Sequence, residues 1–355
     1  MTTALASFPV TKVSESKLKN ASFDKLVFGK DFSDYMLEAD YINGEWTDIE
    51  IKPFGAISFL PSMVALHYGQ AIFEGIKAYK HADGSAYIFR PFDNFKRFNI
   101  SAKRMQMPEV PEEIFVDGMR QLIELEQAWI PAKPDHSLYI RPVMFATEEA
   151  IGVRPSNSYK FLILLSPTGP YYAAPMKIVV EETYTRAAPG GVGFAKNAGN
   201  YAASLQAAQK AKDMGYDQVL WTDAFEHKWL QEVGTMNVFF VIDKTVITPP
   251  LDEGTILAGV TRDSAIQILN DMGFGIEERN ISIDELIAAY EAGKYIEVFG
   301  TGTAATISYI KELLYKDYPM FFDTSKWQVA PELKRRLTDI REGAAEDKHG
   351  WLMPV

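Results

Sequence analysis

Pro167-Thr168-Gly169-Pro170-Tyr171-Tyr172-Ala173-Ala174-Pro175 interrupts any regular element. Proline fixes φ and removes a backbone donor, and glycine adds conformational freedom. Such a cluster between two patterned regions marks a boundary. It predicts a first domain over 1–167, a connection over 168–176 and a second domain over 177–355. An ordinary long loop has the same composition, and loops of this kind are often functional.

Upstream, the pattern alternates and then changes period. Residues 1–22 are polar and expected to be ordered only by docking on the rest. Tyr35–Ile42 and Glu45–Pro53 read as strands around Asn43-Gly44, a strong hairpin signal. Ala71–Tyr79 and Ala86–Arg90 alternate in the same way around Ala82–Ser85. Phe92, Phe95, Phe98 and Met105 then recur at helical spacing, with Lys96, Arg97 and Lys103 elsewhere on the helix. Pro111 opens a second helix that runs to about Trp129. Leu138–Phe145 and Lys160–Ser166 are strands. A sheet with two helices is an α+β pattern.

Downstream, Lys177–Glu182 reads as a strand. Helices are expected over Tyr201–Met214, Thr261–Met272 and Ile283–Ala292, the first two stopped by Gly215 and Gly273. Gln218–Thr222, His227–Gln231, Asn237–Ile242, Thr245–Thr248 and Lys294–Phe299 read as strands. The tail from Pro331 carries a helix and little chemistry.

Composition narrows the function. The chain has 355 residues, 47% hydrophobic and 13% aromatic, enough for two cored domains in an α/β or α+β class. A net charge of −11 without a long basic block argues against nucleic acid as a partner. The absence of cysteine excludes disulfides, thiolate nucleophiles and Cys-ligated metal. Histidines in metal-binding spacing are missing as well. The N-terminus shows neither a secretory nor a mitochondrial leader pattern. Apolar runs such as Phe161–Leu165 fall far short of the roughly 20 residues that span a bilayer. A cytoplasmic protein without membrane partners is expected.

Five stretches hold residues whose chemistry the pattern leaves open. Pro189-Gly-Gly-Val-Gly-Phe-Ala-Lys196-Asn-Ala-Gly-Asn-Tyr201 sets one lysine among glycines and apolar residues, just before a helix that Asn200 could cap. Lys196 is either a solvated surface charge or a desolvated amine able to attack a carbonyl carbon. Gly254–Arg262 brings glycines to a helix start, where N–H groups and the dipole favour phosphate. Gly300–Ala305 offers backbone amides and threonine hydroxyls to an anion, or is a plain turn. Glu232, between apolar strands with few cations near it in sequence, is either a bend residue or a buried carboxylate needing a cationic partner. Arg141 and Arg90 sit in apolar strands, where a guanidinium seeks a carboxylate or phosphate. A reactive lysine, a phosphate cradle, a carboxylate for a ring nitrogen and an arginine for a carboxylate are together the needs of pyridoxal phosphate chemistry.

These segments resemble, in order, those of the branched-chain amino acid aminotransferases of the fold-type IV pyridoxal phosphate class. The likeness runs from about Tyr41 to Glu312 and includes His67–Gly75, Phe89–Pro91, Tyr139–Pro142, Lys196–Tyr201, Glu232–Asn237, Thr248–Leu251 and Phe299–Ala304. It implies a two-domain α/β fold, with a small N-terminal domain and a larger C-terminal pseudo-barrel domain. It implies pyridoxal 5'-phosphate as cofactor, and leucine, isoleucine, valine, glutamate and their 2-oxo acids as substrates. Lys196 would bond the cofactor and shuttle a proton. Tyr201 would meet its phenolic oxygen and Glu232 its ring nitrogen. Arg90, Thr235, Leu257, Gly259, Val260, Thr261 and Thr303 would hold its ring and phosphate. Ala304 and Ala305 would take the substrate α-carboxylate. Arg141 and Tyr139 would take the side-chain carboxylate of glutamate, and Phe73 would line the apolar pocket. Tyr68 would come from the second subunit of a homodimer, whose active site would lie at the subunit interface.

D-amino acid aminotransferases and aminodeoxychorismate lyases share the fold class, the lysine and the glutamate. The Tyr-Ile-Arg-Pro and Phe-Glu-Gly segments and the chain length favour the branched-chain enzyme. Some animal members carry Cys-x-x-Cys after the last glycine turn. Here Ala305-Thr306-Ile307-Ser308 stands there, which excludes that thiol switch.

Overall fold

A computed structural model describes residues 5–171 and 174–355. Tyr172 and Ala173, within the connection expected at 168–176, lie outside the described residues. Chain contacts define two units. One is Met1–Tyr171 with Ala195–Gly199 and Ile340–Val355, and the other is Tyr172–Phe194 with Asn200–Asp339. A single division at 168–176 assigns the C-terminus to the second domain. It belongs instead with the first unit, because the strand Leu352–Pro354 pairs with Tyr87–Phe89.

The first unit opens with β1 (Tyr35–Ile42) and β2 (Glu45–Pro53), joined by Asn43 and Gly44 at φ 55° and 88° as a tight hairpin requires. Then follow α1 (Val64–Tyr68), β3 (Ala71–Phe73), β4 (Ile76–Lys80), β5 (Ala86–Phe89) and α2 (Pro91–Arg104). A π-turn over Glu113–Asp117 leads into α3 (Gly118–Leu125), followed by β6 (Ser137–Ala146) and β7 (Tyr159–Thr168). The sheet runs Leu352–Pro354, β5, β4, β6, β7, β1, β2, with β3 also on β6, and its pairings are antiparallel. Leu138, Ile140 and Met144 of β6 enter one core with Phe98 of α2 and Leu122 of α3. Each such buried side chain contributes about 1.5–3 kcal/mol. Alternation therefore turns Tyr139 and Arg141 to the other face of the sheet.

The strand expected over Ala71–Tyr79 is split at Glu74-Gly75. Both halves keep one register on β6, and the Glu74 amide still bonds Pro142 O at 2.8 Å. A Cβ at Gly75 would fall 2.1 Å from the Tyr139 hydroxyl, so only glycine fits there.

The second unit contains β8 (Met176–Val180), α4 (Ala198–Ala203) from Asn200 onward, α5 (Leu205–Asp213), β9 (Gln218–Thr222), β10 (Leu230–Val233), β11 (Met236–Ile242) and β12 (Thr245–Thr248). After these come α6 (Val260–Asp271), β13 (Gly275–Glu278), α7 (Ile283–Glu291), β14 (Ile296–Gly302), β15 (Thr306–Tyr315), β16 (Tyr318–Phe321) and the start of α8 (Val329–Arg341). The sheet order is β10-β9-β8-β15-β14-β11-β12-β13, with β16 on β15. Because β10 also pairs with β11, the strands from β10 to β11 close on themselves as the expected pseudo-barrel. Phe239 and Phe299 face each other across β11 and β14 and stack at 5.3 Å inside the core.

Three departures from the sequence pattern have local causes. The strand expected at His227–Gln231 begins three residues later, at Leu230. Asp223 accepts the amides of Phe225, Glu226, Lys228 and Trp229 and holds that stretch as a loop. The helix expected from Tyr201 is two helices, and Asn200 lies inside α4 rather than capping it. Its side-chain amide donates to Val192 O at 2.9 Å. β15 and β16 carry no glycine turn signal, since Lys316 takes the positive φ of 53° between them. Among the described residues, no helix is long and apolar enough to cross a membrane, and no acidic or histidine cluster suits a metal.

Candidate active site

In the first unit, the residues singled out by sequence gather around Phe73. The face of β6 opposite the core carries Tyr139 and Arg141, with Arg141 Nη2 donating to the Tyr139 hydroxyl at 3.1 Å. The Arg141 guanidinium lies 4.8 Å from the Phe73 ring centre and 5.3 Å from that of Tyr139. The Lys196 Nζ lies 4.9 Å from the same Phe73 ring. An aromatic face attracts cations, so one apolar ring stands against both an amine and a guanidinium.

The lysine segment is anchored through its backbone. The Lys196 amide donates to Ser101 Oγ at 2.9 Å, and its carbonyl accepts the Phe73 amide at 3.0 Å. Asn197 forms an isolated bridge with Ile72. These bonds place Lys196 beside Phe73 whatever its side chain does. Tyr68, at the end of α1, is 44% exposed.

Arg90 does not continue β5 as expected. It stands before α2 in the left-handed region, at φ 51°. Its amide donates to Trp351 O at 2.7 Å, its Nε pairs with Asp93 at 2.7 Å, and its guanidinium lies 5.2 Å from the Trp351 ring. The C-terminal tail, which carries little legible chemistry, thus holds a site residue. Sequence reasoning also missed Phe28 and Tyr171. The Phe28 ring stands 4.8 Å from that of Tyr139 and 5.1 Å from that of Tyr171. Both lie in irregular segments, where an isolated aromatic has no periodicity to mark it.

In the second unit, most of the chosen residues lie at one end of the barrel. Glu232 is the last residue but one of β10, and its side chain is buried. Its Oε1 accepts the Leu257 amide at 2.9 Å and Asn237 Nδ2 at 3.1 Å. Arg186 Nε approaches its Oε2 to 2.5 Å, in a buried ion pair. The sequence shows few cations near Glu232, yet the fold brings this one from a distant segment. Arg186 also donates to Thr255 O at 2.8 Å, which fixes the loop before α6. The bend reading of Glu232 thus gives way to a paired, ionised carboxylate.

The loop is drawn to the strand ends by Asn237, whose Nδ2 also reaches Leu257 O at 2.8 Å. Gly259 precedes α6 without any side-chain cap. A Cβ there would fall 2.0 Å from Asn237 Oδ1. Val260 and Thr261 begin α6, and both are buried. The dipole of this helix puts positive potential at its first turn. Thr235 is exposed in the turn from β10 to β11. Asn237 registers with Thr301, so the turn Thr303-Ala304-Ala305 between β14 and β15 opens at the same end. Tyr201 is half-buried on α4. The arrangement can hold an anion near backbone amides and hydroxyls and a cation against Glu232.

Comparisons with known proteins agree with this chemistry. A family model described as amino-transferase class IV matches residues 71–313. A probable branched-chain-amino-acid aminotransferase of Staphylococcus epidermidis is 49% identical over 347 residues, covering 96% of each chain. Branched-chain-amino-acid transaminase 1 of Bacillus subtilis is 47% identical and covers 93% of this chain and 94% of its own. Among solved structures, the Escherichia coli branched-chain amino acid aminotransferase superposes with a TM-score of 0.74 at 27% identity, covering 90% of this chain and 98% of that one. A T.th. branched-chain amino acid aminotransferase, complexed with N-(5'-phosphopyridoxyl)-L-glutamate, gives 0.71 at 28% identity, covering 89% and 97%.

Proposed function

The chain belongs to the class IV aminotransferases, and from that premise we propose that it is a branched-chain amino acid aminotransferase. It moves the amino group of leucine, isoleucine or valine to 2-oxoglutarate, yielding a branched 2-oxo acid and glutamate, reversibly and in two half-reactions. The observation that carries this reading is the Phe73 ring, with Lys196 Nζ at 4.9 Å and the Arg141 guanidinium at 4.8 Å from its centre. An amino acid needs an amine-handling group, an apolar wall and, for glutamate alone, a cation for its second carboxylate.

The residues fit pyridoxal 5'-phosphate. In the second unit, the helix start at Gly259, Val260 and Thr261 would suit its phosphate, with Thr235, Thr303 and Leu257 as further contacts; in the first unit, Arg90 offers a guanidinium to an anion. The buried carboxylate of Glu232 suits its ring nitrogen. When bound, that group supplies an aldehyde carbon for the amino group and an electron-withdrawing ring.

The protein's own residues do the rest. The Lys196 amine would hold the cofactor's aldehyde carbon and would take a proton from, or return it to, the substrate Cα. Glu232, paired with Arg186, would hold a proton on the ring nitrogen. The Tyr201 hydroxyl bonds the phenolic oxygen. The Ala304 and Ala305 amides receive the α-carboxylate. Phe73, Phe28 and Tyr171 exclude water from the apolar side chain. Arg141, steadied by Tyr139, receives the second carboxylate of glutamate.

The purified protein should show a visible absorption band with pyridoxal phosphate. Borohydride should abolish the band and leave a covalent mark on Lys196. Amino acids followed at that band should rank leucine, isoleucine, valine and glutamate above the rest. A colourless protein that cannot be reconstituted sinks the proposal. Arg141→Ala should reduce the half-reaction with glutamate about 100-fold and that with leucine little. Equal losses would refute the division of labour.

A homodimer in the cytoplasm belongs to the same proposal. Leu60, Leu66, Tyr68, Ile151 and Val153 are exposed at 54%, 66%, 44%, 75% and 87%. Backbone bonds from Val64 to Glu148 and from Ala150 to Ser62 join their two segments into one apolar patch. Such a patch marks an interface. Sedimentation showing a monomer at micromolar concentration would remove this part.

A further inference from the structure

One face of α2 reaches three elements of the site at once. Asn94, Arg97 and Ser101 recur at helical spacing and are 2%, 7% and 0% exposed. The sequence pattern sets Arg97 on the polar side of the helix with Lys96 and Lys103. It is instead inside, where its Nε and Nη2 each reach an oxygen of Glu74 at 2.7 Å. Glu74 is fully buried, directly after Phe73, and its Oε2 also accepts the Gly75 amide at 3.1 Å. The pair therefore ties α2 to the segment between β3 and β4, directly after Phe73.

The neighbours of Arg97 on the same face act at the other two elements. Asn94 Nδ2 donates to Arg90 O at 2.8 Å, holding a residue whose backbone is in the left-handed region. Ser101 Oγ accepts the Lys196 amide at 2.9 Å and donates to Arg97 O at 3.1 Å. Arg97 Nη2 closes the line on Asn94 Oδ1 at 3.4 Å. Buried polar groups are costly unless bonded, so a face of three such residues in a core helix calls for a reason.

We propose that Asn94, Arg97 and Ser101 are positioning residues that hold Arg90, Phe73 and Lys196 in one geometry. Each acts on a different element, so their loss has separable effects. Ser101 sets the lysine. Asn94 sets the arginine that would meet the phosphate. The Arg97–Glu74 pair ties both to the apolar wall. This rests on the proposed function for the roles of Lys196 and Arg90, but not for the hydrogen bonds themselves.

The test uses Ser101→Ala and Asn94→Ala, small changes expected to leave the fold intact, each made in the full chain. Amide hydrogen exchange needs no cofactor. In Ser101→Ala the Lys196 amide should exchange about tenfold faster, having lost its acceptor. Borohydride-trapped attachment of pyridoxal phosphate to Lys196 should slow about fivefold. Inorganic phosphate, measured as a competitor of pyridoxal phosphate, should bind as in the wild type. Asn94→Ala should show the reverse split, with phosphate weakened about fivefold and the Lys196 amide unchanged. The proposal is overturned if Ser101→Ala leaves Lys196 exchange at the wild-type rate. It is equally overturned if both variants move every readout together, as general loosening would. A wild type that never attaches pyridoxal phosphate would defeat the functional reading, while the exchange data would still decide the positioning role.

Discussion

The two units hold their functional groups by different means. In the first, the groups are side chains on strands and beside α2, braced by other side chains through the Glu74–Arg97 pair. In the second, they are mostly turn residues and a helix start, placed by the closure of the barrel, with Glu232 the one carboxylate among them that is braced. Both units nevertheless bury one of these glutamates against one arginine. Such a pair adds little net stability, but breaking it strands a charge in the interior.

That contrast yields the largest expected effect. Arg97→Met and Arg186→Met should each cost about 3–5 kcal/mol in urea unfolding, since each strands a buried carboxylate. The double change Glu74→Leu with Arg97→Met should recover most of the loss. In the second unit, Glu232→Leu with Arg186→Met should recover less, because Arg186 also secures Thr255 O and Glu232 also accepts the Leu257 amide. Equal recovery in both units would erase the distinction.

The same contrast explains what could be read in the chain itself. Arg141 and Glu232 stand out because a charge inside an apolar strand breaks a pattern. Lys196 stands out by its glycine-rich setting, and the ordered family resemblance turned that setting into a role. Arg186 gave no signal, because its partner lies far away in sequence and only the barrel brings them together. Phe28 and Tyr171 are aromatics in irregular chain, and Trp351 lies in a tail whose strand pairs with β5 across the whole sequence. The hairpin at Asn43-Gly44 was legible because its turn chemistry is local. The strands β15 and β16 were not, because a lysine takes the turn position that glycine usually marks.

The next effect tests whether backbone placement in the second unit is as exacting as side-chain bracing in the first. Gly259 has φ −69°, so alanine there meets no backbone strain. The main penalty is collision with Asn237 Oδ1, 2.0 Å from the new Cβ. Relief requires Asn237 to move, which loosens Glu232 and Leu257 together. Gly259→Ala should cost about 1–3 kcal/mol in stability. Adding Asn237→Ala should cost less than the two single changes summed, because the second change makes room for the new Cβ, and it should not restore pyridoxal phosphate affinity. A harmless Gly259→Ala would show the loop to be more adaptable than its contacts indicate.

The smallest effect concerns a carboxylate of the first unit that is braced differently. Glu126 is 3% exposed and accepts the Tyr35 amide at 2.5 Å. Burial pushes its pKa up to about 7 from 4.5, with the charge of Asp34 adding to the rise against the Tyr35 hydrogen bond. Between those two values the folded chain binds more protons at this site than the unfolded chain does. Stability from Glu126 is therefore present at low pH and lost as pH rises through about 7. Glu126→Gln removes the titration while keeping an oxygen for the Tyr35 amide. At pH 8 the variant should be more stable than the wild type by about 1–2 kcal/mol, and at pH 5 the two should nearly coincide. Urea unfolding at a series of pH values measures the difference directly. A constant gap across the series would mean that Glu126 ionises freely. Glu74 and Glu232 would then be buried at the expense of an arginine each, while Glu126 would owe nothing to its surroundings.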